Sequence, residues 1–182
     1  PKPSSAASDV YKRQLLVYSS VDGHTLKISS KIVEHIKNEV NVDLIPLSEA
    51  RSLSLKNYHQ IIIGASIRYG KYRRDLFDFV ESNLEDLSTK DNAFFSVNVV
   101  ARKPEKNTPE TNPYIEKFLK STKWKPNNIG VFAGVVDYPA YNLFDRFMIR
   151  FIMWVTKGPT DVRARFEFTD WKRVEDFSKS LI

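Results

Sequence analysis

The chain has 182 residues, of which 42% are hydrophobic and 27% charged, and its formal net charge is +6. These values are typical of a soluble globular protein with one domain large enough to bury its own core. The absence of cysteine excludes disulfides, thiolate metal sites and iron–sulfur clusters, and the three histidines lack metal-ligand spacing, so we expect no metal.

The first segment, residues 1–13, has neither an apolar period nor the hydrophobic stretch of a secretory signal. We interpret it as a disordered or non-native leader, and we place a single domain at residues 14–182. No run of about 18 apolar residues occurs in the chain, so the sequence predicts no membrane-spanning helix.

Five apolar segments then predict the strands of a parallel sheet. In chain order they are LLVY (15–18), VDLIPL (42–47), HQIIIGAS (59–66), NAFFSVNVVA (92–101) and IGVFAGVV (129–136). Helical spacing of apolar residues predicts helices over 25–38 and 72–87, and Asp170 is placed to cap a helix at the end of the chain. Strands that alternate with helices imply right-handed crossovers and an α/β sheet covered on both faces.

Two segments depart from this alternation. Residues 102–113 form a polar loop with three prolines, and residues 139–159 form an insert after the fifth strand. The stretch VRARFEF, residues 162–168, predicts a further extended piece before the last helix.

The turn SSVDGHT joins the first strand to the first helix, where a doubly wound sheet places its ligand. Gly23 allows a tight turn. Ser19, Ser20 and Thr25 offer hydroxyl groups beside the positive end of the helix, so the turn predicts phosphate binding. The alternative is that Ser20 or Asp22 only caps the helix. The turn has too few glycines for a dinucleotide-binding loop, and no Walker motif follows.

Two other loops reach the same edge of the predicted sheet. They are GASIRYG after the third strand and SVNVVARK after the fourth. Tyr69 can cover a flat ring, and the backbone of residues 96–99 can bond the edges of that ring; the alternative is that Tyr69 only packs. Together the three loops suit a mononucleotide with a planar head, such as flavin mononucleotide (FMN).

Four longer motifs are more specific: GASIRYGKY, FFSVNVVARKPEKNTPETNPY, FDRFMIRFIM and FTDW. With the S-x-x-D-G-x-T turn, the chain from about residue 14 onwards resembles the menaquinone-dependent protoporphyrinogen IX dehydrogenases, a flavodoxin-like family of haem biosynthesis. The resemblance implies a doubly wound, five-stranded parallel sheet of order 2-1-3-4-5, with helices on both faces and an inserted amphipathic helix. It also implies an FMN enzyme that passes electrons from protoporphyrinogen IX to a membrane quinone (menaquinone or ubiquinone), at the cytoplasmic face of the bacterial inner membrane.

The resemblance places the cofactor-binding residues in the three loops and near the end of the insert. They are Ser19, Ser20, Val21, Asp22, Gly23, His24, Thr25, Ala65, Ser66, Ile67, Arg68, Tyr69, Gly70, Phe95, Ser96, Val97, Asn98, Val99, Val100, Ala101 and Asp161. Flavodoxins usually carry threonine in place of Asp22, and a carboxylate beside a phosphate lowers affinity, so we expect Asp22 to be a turn residue. No catalytic residue is predicted, because a flavin carries the redox chemistry itself.

The implied substrate carries two propionates, which basic side chains at the crevice can bind. We expect Arg68, Arg102 and Lys103 to take this role. The alternative for each is a solvated charge or an ion pair with a nearby acid.

The insert contains a predicted amphipathic helix, residues 142–157. One side carries Asn142, Arg146, Arg150 and Lys157, and the opposite side is apolar and largely aromatic. The predicted membrane contacts are Phe144, Phe147, Phe151 and Trp154. A basic, aromatic helix too short to span a bilayer predicts peripheral contact with an anionic membrane surface. The alternative is a core helix packed on the sheet edge.

Other functions stay open at this point: a flavodoxin-type FMN electron carrier, an NAD(P)H:quinone reductase-like flavoprotein, or a membrane-binding module whose flavin site has decayed. The basic loop and the aromatic insert favour the enzyme over the carrier, and intact Gly23 and Thr25 argue against decay. Nucleic acid is not an expected partner, because no recognition helix or aromatic–basic RNA motif is present. The sequence leaves open whether the chain forms a homo-oligomer.

Overall fold

A five-stranded sheet forms the centre of the molecule in the computed structural model, which describes residues 12–182. Its strands are β1 (Arg13–Ser19), β2 (Asn41–Pro46), β3 (Gln60–Ser66), β4 (Asp91–Val97) and β5 (Asn128–Phe132). They lie in the order β2-β1-β3-β4-β5, and every neighbouring pair is parallel. The α/β fold class and the strand order predicted from the sequence are confirmed.

Helices cover both faces of this sheet. The covering helices are α1 (His24–Ile36), α2 (Leu47–Ala50), α3 (Arg74–Ser82), α4 (Leu84–Thr89), α5 (Pro113–Ser121) and α7 (Trp171–Lys179). A further helix, α6 (Leu143–Val155), packs outside these two faces. The buried residues of α1 and α7 pack on one face, and those of α2 to α5 pack on the other.

Neighbouring residues of a strand pack into the cores on opposite faces of the sheet, because side chains alternate across a sheet. In β4, Phe94 stacks on Phe118 of α5 with ring centroids 4.3 Å apart. Phe95 points the other way and packs against Phe177 of α7. Its ring also covers Gly64 of β3, where a Cβ atom would overlap it. The glycine in the third strand is therefore required by packing.

Two predicted elements are divided in the structure. The helix predicted over 72–87 is interrupted at Asn83, whose φ of −118° leaves the helical region and whose side chain donates to the carbonyl of Phe79 at 2.9 Å. The predicted fifth strand ends at Phe132, and β6 (Val135–Asp137) follows after a break. β6 pairs antiparallel with β7 (Arg165–Glu167), which lies in the predicted extended piece.

The ends of three elements follow the local sequence. Asp170 caps α7 as expected, accepting from the N–H groups of the second and third following residues. Helix α5 is missing from the sequence prediction, although Asn112 caps it and Pro113 suits its first position. Arg13, assigned to the leader, opens β1 because it pairs with Asn41. The rest of the predicted leader, apart from Lys12, lies outside the described residues.

The insert forms a small subdomain beside the carboxyl edge of β5. Helix α6 packs on the β6–β7 ribbon through Met153, which is 2% exposed and belongs to a separate core cluster with Val136 and Tyr138. Within residues 12–182, none of the helices has the length and apolar character needed to cross a bilayer.

Candidate functional site

A cleft opens at the carboxyl ends of β1, β3 and β4, where the strand order reverses. Its walls are Ser20, Val21, Asp22, His24, Thr25, Ser66, Ile67, Arg68, Val97, Asn98, Val99, Gly134 and Val135. The cleft continues beneath α6, where its further walls include Tyr69, Gly70, Val100, Arg102, Tyr114, Tyr141, Ile149 and Met153. The three loops predicted from the sequence therefore meet in one place.

The amino end of α1 faces this cleft, and no side chain among the described residues caps it. Gly23 precedes the helix with a φ of 82°, a left-handed conformation that glycine adopts without strain. Ser20 accepts a hydrogen bond from the N–H of Gly23 at 3.0 Å, and Asp22 is bonded to Arg68. The alternative that Ser20 or Asp22 caps α1 is therefore excluded. The first N–H groups of α1 stay available to an anion.

Thr25 adds a hydroxyl group inside this helix end. Its side chain is 1% exposed, and its Oγ1 has no hydrogen-bond partner among the described residues. The carbonyl of Thr25 accepts from the hydroxyl of Ser29 at 2.8 Å, so the backbone there is satisfied. A buried hydroxyl without a partner costs about 1–3 kcal/mol. A phosphate oxygen bound to the turn would supply the missing partner.

His24 links the turn to the segment just before α7, on the same face of the sheet. Its Nε2 lies 2.6 Å from Oγ1 of Thr169, which itself donates to the carbonyl of Ala133 at 2.7 Å. Because the hydroxyl of Thr169 donates its hydrogen to Ala133, His24 must be the donor to Thr169 and carries its hydrogen on Nε2. Burial of the ring lowers the pKa of His24, which keeps the ring neutral near pH 7.

A buried polar network holds the segment after β4. The Nδ2 of Asn98 donates to the hydroxyl of Ser96 at 3.0 Å, and Ser96 also accepts from Tyr72 at 2.7 Å. The Oδ1 of Asn98 accepts from the N–H of Ala101 at 3.0 Å and from Asn112 at 3.2 Å. Each of these contacts is buried, so the backbone that faces the cleft is rigidly positioned.

Arg68 joins three parts of the site. Its Nη1 donates to both carboxylate oxygens of Asp22 at 2.8 and 2.7 Å, and its Nη2 donates to Asp145 of α6 at 2.5 Å. The hydroxyl of Tyr69 donates to the other oxygen of Asp145. Tyr69 has a φ of 49°, a strained backbone for a non-glycine residue, and it is 47% exposed. These contacts bind the phosphate turn and the loop after β3 to the insert.

Arg102 holds the other end of α6. Its Nη2 donates to the carbonyl of Thr156 at 2.9 Å, and its Nη1 donates to the carbonyl of Val99 at 3.1 Å. Both arginines expected to bind substrate thus fasten the insert in this structure. Their role toward substrate stays a prediction, as does that of half-buried Lys103.

The remaining predicted residues lie away from the cleft walls, within the described part of the chain. They are Ser19, Gly23, Ala65, Phe95, Ser96, Ala101 and Asp161. Phe95 serves the core under α1 and α7, and Asp161 is exposed and paired with Arg163 at 3.2 Å. Their cofactor contacts stay predictions.

Several site residues escaped the sequence prediction. Tyr141 comes from the insert, Gly134 from the break after β5 and Val135 from the start of β6. Asp145, also from the insert, reaches the site through its bonds to Arg68 and Tyr69. Only tertiary contacts bring them to the cleft. Thr169 lies in the FTDW motif, which could have indicated that it belongs to the site.

Comparison with known proteins agrees with this architecture. The Flavodoxin domain family matches residues 15–163. A protoporphyrinogen IX dehydrogenase (quinone) of Leishmania major is 43% identical over 169 residues, which cover 92% of this chain and 73% of that protein. The protein of the same name from Escherichia coli (strain K12) is 39% identical over 170 residues, which cover 93% and 94%.

Among solved structures, rubredoxin oxygen:oxidoreductase of Desulfovibrio gigas shares the fold. It matches with a TM-score of 0.51 at 10% identity, over 92% of this chain and 34% of that one. The sequence relatives, in contrast, cover nearly the whole chain at identities that indicate common descent. The chain therefore belongs to the flavodoxin-domain family of protoporphyrinogen IX dehydrogenases (quinone).

Proposed function

We propose that this protein is an FMN-dependent enzyme that oxidises protoporphyrinogen IX to protoporphyrin IX and passes the electrons to a quinone. This reaction is a late step of haem biosynthesis. The names of its relatives support the substrate and the acceptor, and the relatives match over more than nine-tenths of this chain. The cleft supports the cofactor.

The main support for the cofactor proposal is the buried hydroxyl of Thr25 at the end of α1, which within residues 12–182 has neither a hydrogen-bond partner nor a capping side chain beside it. The phosphate of FMN would bind there, to that hydroxyl, to Ser20 and to the N–H groups of the first turn. Tyr69 would face the flavin ring, and the rigid segment after β4 would offer backbone groups to the edges of the ring. Bound FMN supplies the redox chemistry, as a two-electron carrier between donor and acceptor.

The protein's own residues orient and enclose this site. The network of Asn98 fixes the backbone after β4, and Arg68 and Arg102 fasten α6 as a cover over the cleft. His24 is neutral and its ring N–H donates to Thr169, so its role is to hold the turn in place. The carboxylate of Asp22, whose charge would repel phosphate, is paired with Arg68, which it shares with Asp145.

We also propose that the enzyme associates peripherally with an anionic membrane, at the cytoplasmic face, where a membrane quinone is available. The outer face of α6 supports this. Phe144, Phe147 and Trp154 are 66%, 68% and 70% exposed, and Phe151 is 52% exposed. An apolar aromatic face of this kind is typical of helices that lie in a bilayer interface. Arg150 is exposed beside it, whereas Arg146 donates to the carbonyls of Tyr138 and Tyr141.

The activity is tested by anaerobic mixing of the FMN-loaded protein with protoporphyrinogen IX and a quinone. The expected result is a rise in porphyrin fluorescence that depends on protein, FMN and quinone together. A protein that binds FMN and exchanges electrons with redox partners but leaves protoporphyrinogen IX unoxidised would be an electron carrier, which contradicts the proposal.

A further inference from the structure

A groove between α3 and α5 lies beside the cleft and shares Tyr114 alone with its walls, among the described residues. Its volume is about 440 Å³. The floor is aromatic, because Phe77, Tyr114 and Tyr72 line it. The fully buried ring of Phe118 packs behind them, 5.7 Å from Phe77 and 5.6 Å from Tyr72 between centroids. The hydroxyl of Tyr72 points inward and donates to Ser96, so these rings present mainly carbon to the groove.

The rim of the groove carries four basic side chains: Lys71, Arg73, Arg74 and Lys117. Acids partly offset the arginines, since Asp75 and Asp78 lie 3.0 and 3.8 Å from them. The two lysines are exposed and form no ion pair within residues 12–182. The groove therefore combines an apolar floor with two uncompensated positive charges.

Tyr114 connects the groove to the cleft, because it contributes to the walls of both. It stands in the first turn of α5, which Asn112 caps by accepting from the N–H of Tyr114 at 3.1 Å. Asn112 also donates to Asn98 at 3.2 Å, in the rigid segment after β4. Tyr114 is therefore held in a fixed position, and a ligand that fills the groove would contact the cleft there.

We propose that this groove binds the tetrapyrrole substrate, with Lys71 and Lys117 paired to its two propionates and the aromatic floor against its pyrrole rings. The inference rests on the function proposed above. Lysine–carboxylate pairs are charge-assisted contacts, and aromatic rings pack favourably edge to face. An anionic lipid headgroup would use the lysines alone, whereas a tetrapyrrole dicarboxylate matches both the charge and the floor. The two arginines at the cleft are already engaged with the insert.

The kinetic test uses the full chain loaded with FMN, with protoporphyrinogen IX as donor and a water-soluble naphthoquinone as acceptor. The double variant Lys71→Gln/Lys117→Gln is expected to raise KM about tenfold with kcat unchanged, because exposed ion pairs contribute to binding alone. The control Lys37→Gln/Lys123→Gln removes the same charge from exposed positions elsewhere and should keep the wild-type KM.

A binding titration measures affinity for the groove without turnover. Titration with protoporphyrin IX, followed by its fluorescence, should show a similar loss of affinity in Lys71→Gln/Lys117→Gln, here called the groove variant. The dimethyl ester of protoporphyrin IX lacks the carboxylates and should bind the variant and the wild type alike. Ser121→Trp places a bulky ring at the groove end of α5 and should weaken the binding of both ligands.

Equal KM and equal protoporphyrin IX affinity in the groove variant and the wild type would overturn this inference and leave the proposed function in place. If the groove variant lost binding to anionic vesicles and kept its porphyrin affinity, the lysines would belong to a membrane contact, which also overturns it. A wild-type protein that did not oxidise protoporphyrinogen IX would refute the function instead, and the binding titration would still test the groove.

Discussion

Arg68 and Asp145 form a partly buried ion pair across 77 residues of sequence, with Nη2 and Oδ2 2.5 Å apart. The side chain of Asp145 is 9% exposed and that of Arg68 is 19% exposed. The pair joins the loop after β3 to the first turn of α6. Together with Arg102 at the other end of α6, it holds the insert over the cleft.

Loss of this ion pair is expected to loosen the insert. Arg68→Ala should lower the free energy of unfolding by about 2 kcal/mol, because it leaves the buried carboxylate of Asp145 without its cation. A double-mutant cycle with Asp145→Asn, measured by urea unfolding, should give a coupling energy of about 1 kcal/mol or more. Arg163→Ala breaks an exposed pair and should have almost no effect. Additive effects of the two site variants would contradict the assignment.

Thr25→Val tests the phosphate turn. Valine keeps the shape and removes a hydroxyl that has no hydrogen-bond partner in the described part of the chain, so the stability of the FMN-free protein should be unchanged or slightly higher. FMN affinity, measured by quenching of flavin fluorescence, should fall about tenfold or more.

The matched control for Thr25 is Ser29→Ala, one turn further along α1. It removes a buried hydrogen bond to the carbonyl of Thr25 and should cost about 1 kcal/mol of stability while FMN affinity is retained. Unchanged FMN affinity in Thr25→Val would contradict phosphate binding at this hydroxyl.

Burial of His24 predicts a dependence of stability on pH. Its pKa in the folded protein lies below the ordinary value of about 6.5, so the unfolded chain binds more protons between the two values. The free energy of unfolding should therefore fall as the pH drops through about 6.5, and this contribution should level off below the folded pKa.

His24→Gln is expected to flatten that dependence. Urea unfolding from about pH 7.5 to about pH 5.5 should show a smaller loss of stability in the variant than in the wild type. His35→Gln changes an exposed histidine of the same helix and should show the wild-type slope. Equal slopes for His24→Gln and the wild type would refute a buried neutral His24.

Peripheral membrane binding is tested by Phe147→Gln/Trp154→Gln. These residues are 68% and 70% exposed, so the variant should fold normally. Removal of two aromatic side chains from the interface should weaken binding to anionic vesicles roughly a hundredfold, measured by cosedimentation. Ile182→Gln, at the opposite edge of the sheet, is the control and should bind like the wild type. Vesicle binding by the aromatic variant at wild-type strength would rule out α6 as the contact.

The sequence determined the sheet and the position of the site. Apolar runs closed by turn residues predict strands, helical spacing predicts the crossovers, and the hydroxyl-rich turn after β1 lies where such sheets bind ligands. These are local properties: Gly23 turns and α1 begins because of the residues beside them. The break after Phe132 was not predicted, because the apolar run continues through it. The start of α5 was not predicted, because it follows a proline-rich polar loop.

Tertiary structure alone decided what each charged and aromatic side chain of the site does. Arg68 meets Asp145 and Arg102 meets Thr156 only because the insert folds back over the cleft. The helical pattern predicted an amphipathic helix but left open whether its aromatic face is buried or exposed. Packing of Met153 on the β6–β7 ribbon turns Phe147 and Trp154 outward. Contacts between residues far apart in sequence depend on how the helices and strands pack. The local sequence pattern does not predict that packing.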